Sequence, residues 1–196
     1  MMGLLIAPLL AACHFEYQHP LSATHLGRCP VDLNGKWEQE MNGRGEGPTQ
    51  FEIKISPDCK ISELEFRKTK KEKIKFELIF TQIGQKFYAS TTTADQINEH
   101  SRYMLFQYAN VTPTHFNLYF ATNKETLTQA LLQKQVEGYL DSENKPVLTA
   151  KGEKLTNFVV NNDRALFVGP FLYRKVTGWS ARGRHYRNQD NRNSKP

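Results

Sequence analysis

Lys73-Ile74-Lys75-Phe76-Glu77-Leu78-Ile79-Phe80 carries an apolar side chain at every even position from 74 to 80 and a charge at 73, 75 and 77. Successive side chains of an extended chain leave on opposite faces, so this period of two marks a strand with one dry face and one polar face. Phe51, Ile53 and Ile55 alternate with Glu52, Lys54 and Ser56 in the same way. Strands of this kind belong to antiparallel sheets, in which one side packs on a core. Working outward, further strands are expected at 86–92, 102–110 and 115–121. The last two form a hairpin across 111–114, with Phe116, Leu118 and Phe120 on one face. The connections are polar: 42–48 with three glycines, Ser56-Pro57-Asp58, 68–73, and a turn at Gly84.

After Ala121 the period lengthens. Leu127, Ala130 and Leu131 follow a Thr122-Asn123 cap with Glu125 in the first turn, which predicts an amphipathic helix over 124–135. A short strand at 136–140 and a turn at 141–145 come next. A second helix is expected at 151–162, capped by Thr149, with Leu155, Phe158 and Val159 on one face; Gly152 and the pair Val159-Val160 keep an edge strand open as the alternative. A strand at 169–176 ends the pattern. The fold class is therefore mainly β with two helices, an antiparallel meander forming a barrel or half-barrel. The sequence leaves open whether the barrel closes or wraps the helices as an open sheet.

With 196 residues, 39% of them hydrophobic and 23% charged, the chain has globular composition, and no central Pro/Gly/Ser-rich linker divides it. Its net charge of +6 is not spread over the fold. From Arg174 onward seven basic residues face Asp190 alone, so everything before Arg174 is neutral.

Residues 1–12 hold no charged side chain and form an apolar run well short of the roughly 20 residues of a spanning helix, which reads as a signal segment. The competing reading is a buried N-terminal segment. The run ends in Leu10-Ala11-Ala12-Cys13, which resembles the lipobox of bacterial lipoprotein signal peptides. That resemblance implies cleavage before Cys13, diacylation of its sulfur and acylation of the new amino group. More than one acyl chain gives stable membrane anchoring, where a single chain would not. His14 in place of Asp after the cysteine implies, by the sorting rule of enteric lipoproteins, the outer membrane, facing the periplasm. Assigning Cys13 to lipid leaves Cys29 and Cys59 as a pair, expected as a disulfide in that compartment; two free buried thiols are the alternative. The expected organisation is a signal peptide (1–12), a lipidated tether (13–31), a β-barrel domain (32–178) and a basic disordered tail (179–196).

Asp32-Leu33-Asn34-Gly35-Lys36-Trp37 opens the first expected strand and Tyr173-Arg174 lies in the last. A Gly-x-Trp followed by a late arginine resembles the calycin superfamily, the lipocalins and their relatives. The resemblance implies a barrel whose end is plugged by Trp37, with Gly35 allowing a tight backbone and Arg174 packing across the indole as a cation–π pair. Leu155-Thr156-Asn157-Phe158 and Ala165-Leu166-Phe167 behind the meander are also similar to small lipocalin-like bacterial lipoproteins. An ordinary core tryptophan in an unrelated sheet is the plainer reading of Trp37.

The motifs of catalysis are missing from the sequence. Gly43-Arg44-Gly45-Glu46-Gly47 fits no phosphate-loop spacing, and no His-Glu-x-x-His or Gly-x-Ser-x-Gly occurs. Glu38 with Glu40, and Glu63 with Glu65, lie two apart, as an acid and base of a glycosidase could, but a solvated outer strand face explains them better. His14, His19 and His25 have spacings outside the zinc patterns and read as a solvated tether. No metal, no cofactor and no enzymatic activity are expected. Arg182, Arg184 and Arg187, interleaved with Trp179 and Tyr186, would suit single-stranded nucleic acid, but export excludes that partner and leaves anionic lipid or wall polymers, or a purely solubilising tail. The expected function is that of a non-enzymatic binding module for an apolar ligand or envelope component. A structural subunit of an envelope assembly is the alternative, and a hydrolase stands behind both.

Overall fold

The computed structural model describes residues 17–40, 50–60, 62–67, 73–93 and 102–178. Eight antiparallel strands form a closed barrel: β1 (Gly35–Gln39), β2 (Gln50–Ile55), β3 (Ser62–Arg67), β4 (Lys73–Ile83), β5 (Lys86–Thr93), β6 (Met104–Ala109), β7 (His115–Phe120) and, after a helical excursion, β10 (Val168–Val176). Neighbours in sequence pair around the ring, and β10 closes it by pairing with both β7 and β1. The excursion contains α1 (Lys124–Leu132), the short hairpin β8 (Gly138–Leu140) with β9 (Pro146–Leu148), α2 (Gly152–Asn161) and α3 (Asp163–Leu166). The closed form of the barrel is thus the one adopted, with three helices where two were expected.

Period-two patterning sorts the strand residues into two faces. Phe51, Ile53, Leu64, Phe76, Leu78, Phe80, Phe106 and Phe116 point inward and form one core with Trp37 and Tyr173. A second core lies outside the barrel wall. Tyr88 and Leu105, outward on β5 and β6, are buried beneath Leu127, Leu148, Leu155, Val159 and Leu166 of the excursion. That patch of wall is therefore dry on both faces, whereas most antiparallel sheet faces one solvent side. The Asn123 cap works as expected, its Oδ1 accepting from the Thr126 N–H at 3.2 Å. Thr149 does not cap α2: its N–H donates to the Glu137 carbonyl, and Lys151 occupies the cap position without a side-chain bond.

The N-terminal stretch from residue 17 is a packed strap, correcting the reading of a solvated tether. Tyr17 and Leu21 are buried in the outer core, and Tyr17 bridges both Tyr103 and Leu148. Because β3 accompanies β4 only as far as Glu77, β4 has a bare edge beyond it. Leu26 fills that edge, donating to the Phe80 carbonyl at 3.0 Å and accepting from the Gln82 N–H at 2.8 Å. The strap then joins the β2–β3 turn through the Cys29–Cys59 disulfide and enters the 3-10 turn Val31–Leu33, whose Leu33 closes one barrel end.

His25 fastens this strap. Its Nδ1 accepts the Phe80 N–H at 3.1 Å, and its ring stacks on Phe80 at 5.8 Å. Burial holds the imidazole below its ordinary pKa, against the Glu77 carboxylate and a hydrogen bond with the Cys59 backbone, which pull the other way. A protonated Nδ1 cannot accept, so the contact belongs to the neutral ring. A histidine pKa depressed by folding gives stability that is present above the unfolded value and is lost as pH falls through the folded one. Amide exchange at Phe80 and Gln82 should therefore accelerate beyond its intrinsic pH dependence between pH ~7 and ~5. His25→Ala should abolish that dependence and cost about 1 kcal/mol for the lost bond, read by urea unfolding.

Candidate functional site

The barrel interior changes character along its axis. At the end closed by Leu33, Trp37 is fully buried and its indole N–H donates to the Leu33 carbonyl at 2.7 Å. Phe116 meets Trp37 edge-on at 4.7 Å, Tyr173 stacks on Phe116 at 5.4 Å, and Phe51 lies 4.9 Å from Tyr173. These four rings fill that half of the barrel. Toward the end from which the helical excursion departs, the inward side chains Ile74, Leu118, Phe120 and Phe171 are only half-buried. Phe120 there lies edge-on to Phe106 at 5.1 Å and to Phe171 at 5.3 Å. The aromatic lining continues to the rim, but its faces are incompletely covered.

The cation over Trp37 is Lys175, whose Nζ is 5.2 Å from the ring centroid. Arg174, the residue expected there, is on the outer face, where its Nη2 donates to Glu38 Oε1 at 2.9 Å. The β1–β10 register decides this, since Trp37 pairs with Lys175 and Glu38 with Arg174. Paired residues share a face, so the residue opposite an inward tryptophan is itself inward. Gly35 has φ +130°, and a Cβ there would stand 2.6 Å from Lys175 Cε, so the missing side chain is where the lysine stem passes.

The paired carboxylates are on the barrel's outside, engaged across strands. Glu38 also accepts from Gln50 Nε2, and Glu40 lies 3.4 Å from His115 Nε2. Glu63 pairs with Lys75 at 3.4 Å, and Lys54 is 3.9 Å from Glu65. The face is the expected one, but it is not uniformly solvated: Glu38 and Glu65 are buried. Among the described residues no group of three His, Cys, Asp or Glu side chains could hold a metal ion. Cys13, His14, the glycine loop at 43–47, Trp179, Tyr186 and the basic residues Arg182, Arg184 and Arg187 lie outside the described residues.

A polar cluster that no sequence reading found ties the helices to the wall. Asp163, at the start of α3, accepts from Tyr88 Oη at 2.8 Å, from Gln107 Nε2 at 3.2 Å and from Lys86 Nζ at 2.5 Å. Burial and the adjacent Asp163 carboxylate push the Tyr88 phenol well above its ordinary pKa, so it remains a donor. Its members lie more than fifty residues from Asp163 in the chain, and nothing local in the sequence announces it.

Comparison with family models, with curated proteins and with solved structures finds no match for the chain. Among the described residues no helix is long and apolar enough to cross a membrane.

Removing Asp163 strands the buried Tyr88 hydroxyl. Asp163→Ala should lower stability by about 1–3 kcal/mol in urea unfolding. Lys86→Ala, which loses only a half-exposed cation, should stay within about 1 kcal/mol.

Proposed function

We propose that the chain is a lipoprotein of the bacterial outer membrane, anchored through acyl chains on Cys13 and facing the periplasm, that binds an apolar ligand in its barrel without transforming it. The observation that carries the ligand reading is the half-buried inward cluster of Ile74, Leu118, Phe120 and Phe171 at the barrel end away from Leu33. Aromatic faces left partly uncovered inside a barrel gain free energy when an apolar molecule displaces water from them. The Leu10-Ala11-Ala12-Cys13 run supports the anchor and the Cys29–Cys59 disulfide supports an oxidising compartment. The basic tail, on this reading, meets lipid phosphates or wall polymers.

A second reading, a structural subunit of an envelope assembly, draws on a different observation. The half of the barrel around Trp37 is filled by its own side chains, while Leu132, Tyr139 and Leu140 on the helical excursion are exposed.

Native mass spectrometry of the detergent-solubilised chain beside a Cys13→Ser variant separates these. The ligand reading expects a lipid-sized non-covalent adduct in both proteins, in addition to the anchor in the first. Clean apoprotein in both overturns it, and co-purifying protein mass in its place favours the assembly. An unmodified Cys13 in the unsubstituted chain removes the outer-membrane assignment.

A further inference from the structure

The N-terminal strap runs the length of the barrel, from the end of half-buried side chains to the end closed by Leu33. Tyr17 bridges Tyr103, one residue ahead of β6, and the start of β6 lies at the same barrel end as Phe120, the last residue of β7. From there the strap passes Ser90, whose Oγ accepts the Leu21 N–H at 3.1 Å, and then the Phe80–Gln82 edge of β4. It finishes in Leu33 at the opposite end.

This direction limits where an anchor on Cys13 can hold the molecule. Cys13 precedes Tyr17 by four residues, and four residues of chain span at most about 14 Å in any conformation. Tyr17 is 2% exposed, and the Gln18 N–H donates to the Leu148 carbonyl at 2.9 Å, so the strap is fixed to the wall from its first described residue. The two barrel ends are further apart than that tether is long. β4 crosses from one to the other over Lys73–Ile83, which at roughly 3.3 Å per residue and a barrel tilt of about 40° is roughly 25 Å along the axis. A barrel standing on its Leu33 end would hold Tyr17 that far above the membrane, beyond the reach of Cys13.

The surface near Tyr17 is apolar enough to meet a bilayer. Val168, 44% exposed, begins β10 opposite Phe120. Tyr139, 43% exposed, accepts a hydrogen bond from Gln18 Nε2 at 3.3 Å, and the exposed Leu140 follows it. A tyrosine joins an apolar ring to a polar tip and suits the boundary between acyl chains and headgroups.

Resting on the Cys13 anchor proposed above, we infer that the barrel docks on the phospholipid bilayer by its Phe120/Phe171 end. Val168, Tyr139 and Leu140 then lie at the headgroup level, where their apolar surface leaves water, and the Leu33 end points away from the membrane. In this orientation the barrel interior opens onto the lipid phase.

The test uses the full acylated chain on vesicles of phosphatidylethanolamine and phosphatidylglycerol. An environment-sensitive fluorophore is placed on Val168→Cys or on Gln85→Cys, the latter in the exposed turn after β4 at the Leu33 end. Cys29 and Cys59 are disulfide-bonded and an acylated Cys13 has no thiol, so the introduced cysteine alone is labelled. Phospholipids with a nitroxide on the acyl chain should quench the label at 168 severalfold more than at 85, and vesicles should shift its emission to the blue. Leu140→Cys supplies a second label on the docking side, independent of the β7–β10 pairing, and thermal unfolding checks that each variant is folded. Equal quenching at the two ends, stronger quenching at 85, or none at either end overturns the inference, while an acylated mass leaves the anchor standing. An unmodified Cys13 removes the anchor itself and the inference with it.

Discussion

The pairing of β1 with β10 is the constraint on which the rest of the molecule depends. It closes the ring, removes both sheet edges, and fixes which residues of the first and last strands face inward. With Trp37 directed to the axis, Lys175 and Tyr173 must also be inward and Arg174 outward. The Arg174–Glu38 ion pair outside and the Lys175–Trp37 contact inside are two consequences of one register. A slip by one residue would exchange them and place Tyr173 in solvent.

Closure alone would leave a barrel with a solvated wall. The excursion between β7 and β10 and the strap ahead of β1 both return to one sector, the outer faces of β4, β5 and β6. Tyr88, Leu105, Leu127, Leu148 and Leu155 make that sector a second core, with Asp163 holding the helices to Lys86, Tyr88 and Gln107. The Cys29–Cys59 bond joins the strap to the β2–β3 turn, so the strap and the excursion are held to the wall by different means. A disulfide restricts the unfolded chain, while the helices rely on apolar burial.

The interior that results is unequal along its length. Four large rings occupy the half near Leu33, and the carboxylates of the strands are directed outside into cross-strand pairs. What faces inward elsewhere is chiefly Phe, Leu and Ile, which recognise by shape and by exclusion of water. The few polar groups within reach of the inner surface, Lys175 among them, carry correspondingly more of any specificity.

The strands were legible residue by residue, because Ile74, Phe76, Leu78 and Phe80 alternate with charges and nothing but an extended chain makes use of that spacing. Both long helices were legible from Leu127/Ala130/Leu131 and Leu155/Phe158/Val159 for the corresponding reason. β9 escaped notice since Pro146, Val147 and Leu148 are all buried, and a strand dry on every side has no alternation to read. The strap was misread because its few apolar residues, Tyr17 and Leu21, have no period of their own. By itself, the sequence determined the types of most elements, the faces of the strands and the charge held in the tail. The tertiary structure alone decided closure, the choice of Lys175 over Arg174 at Trp37 and the Asp163 cluster. Each of these depends on contacts between distant segments, whose register is set only when the ring closes.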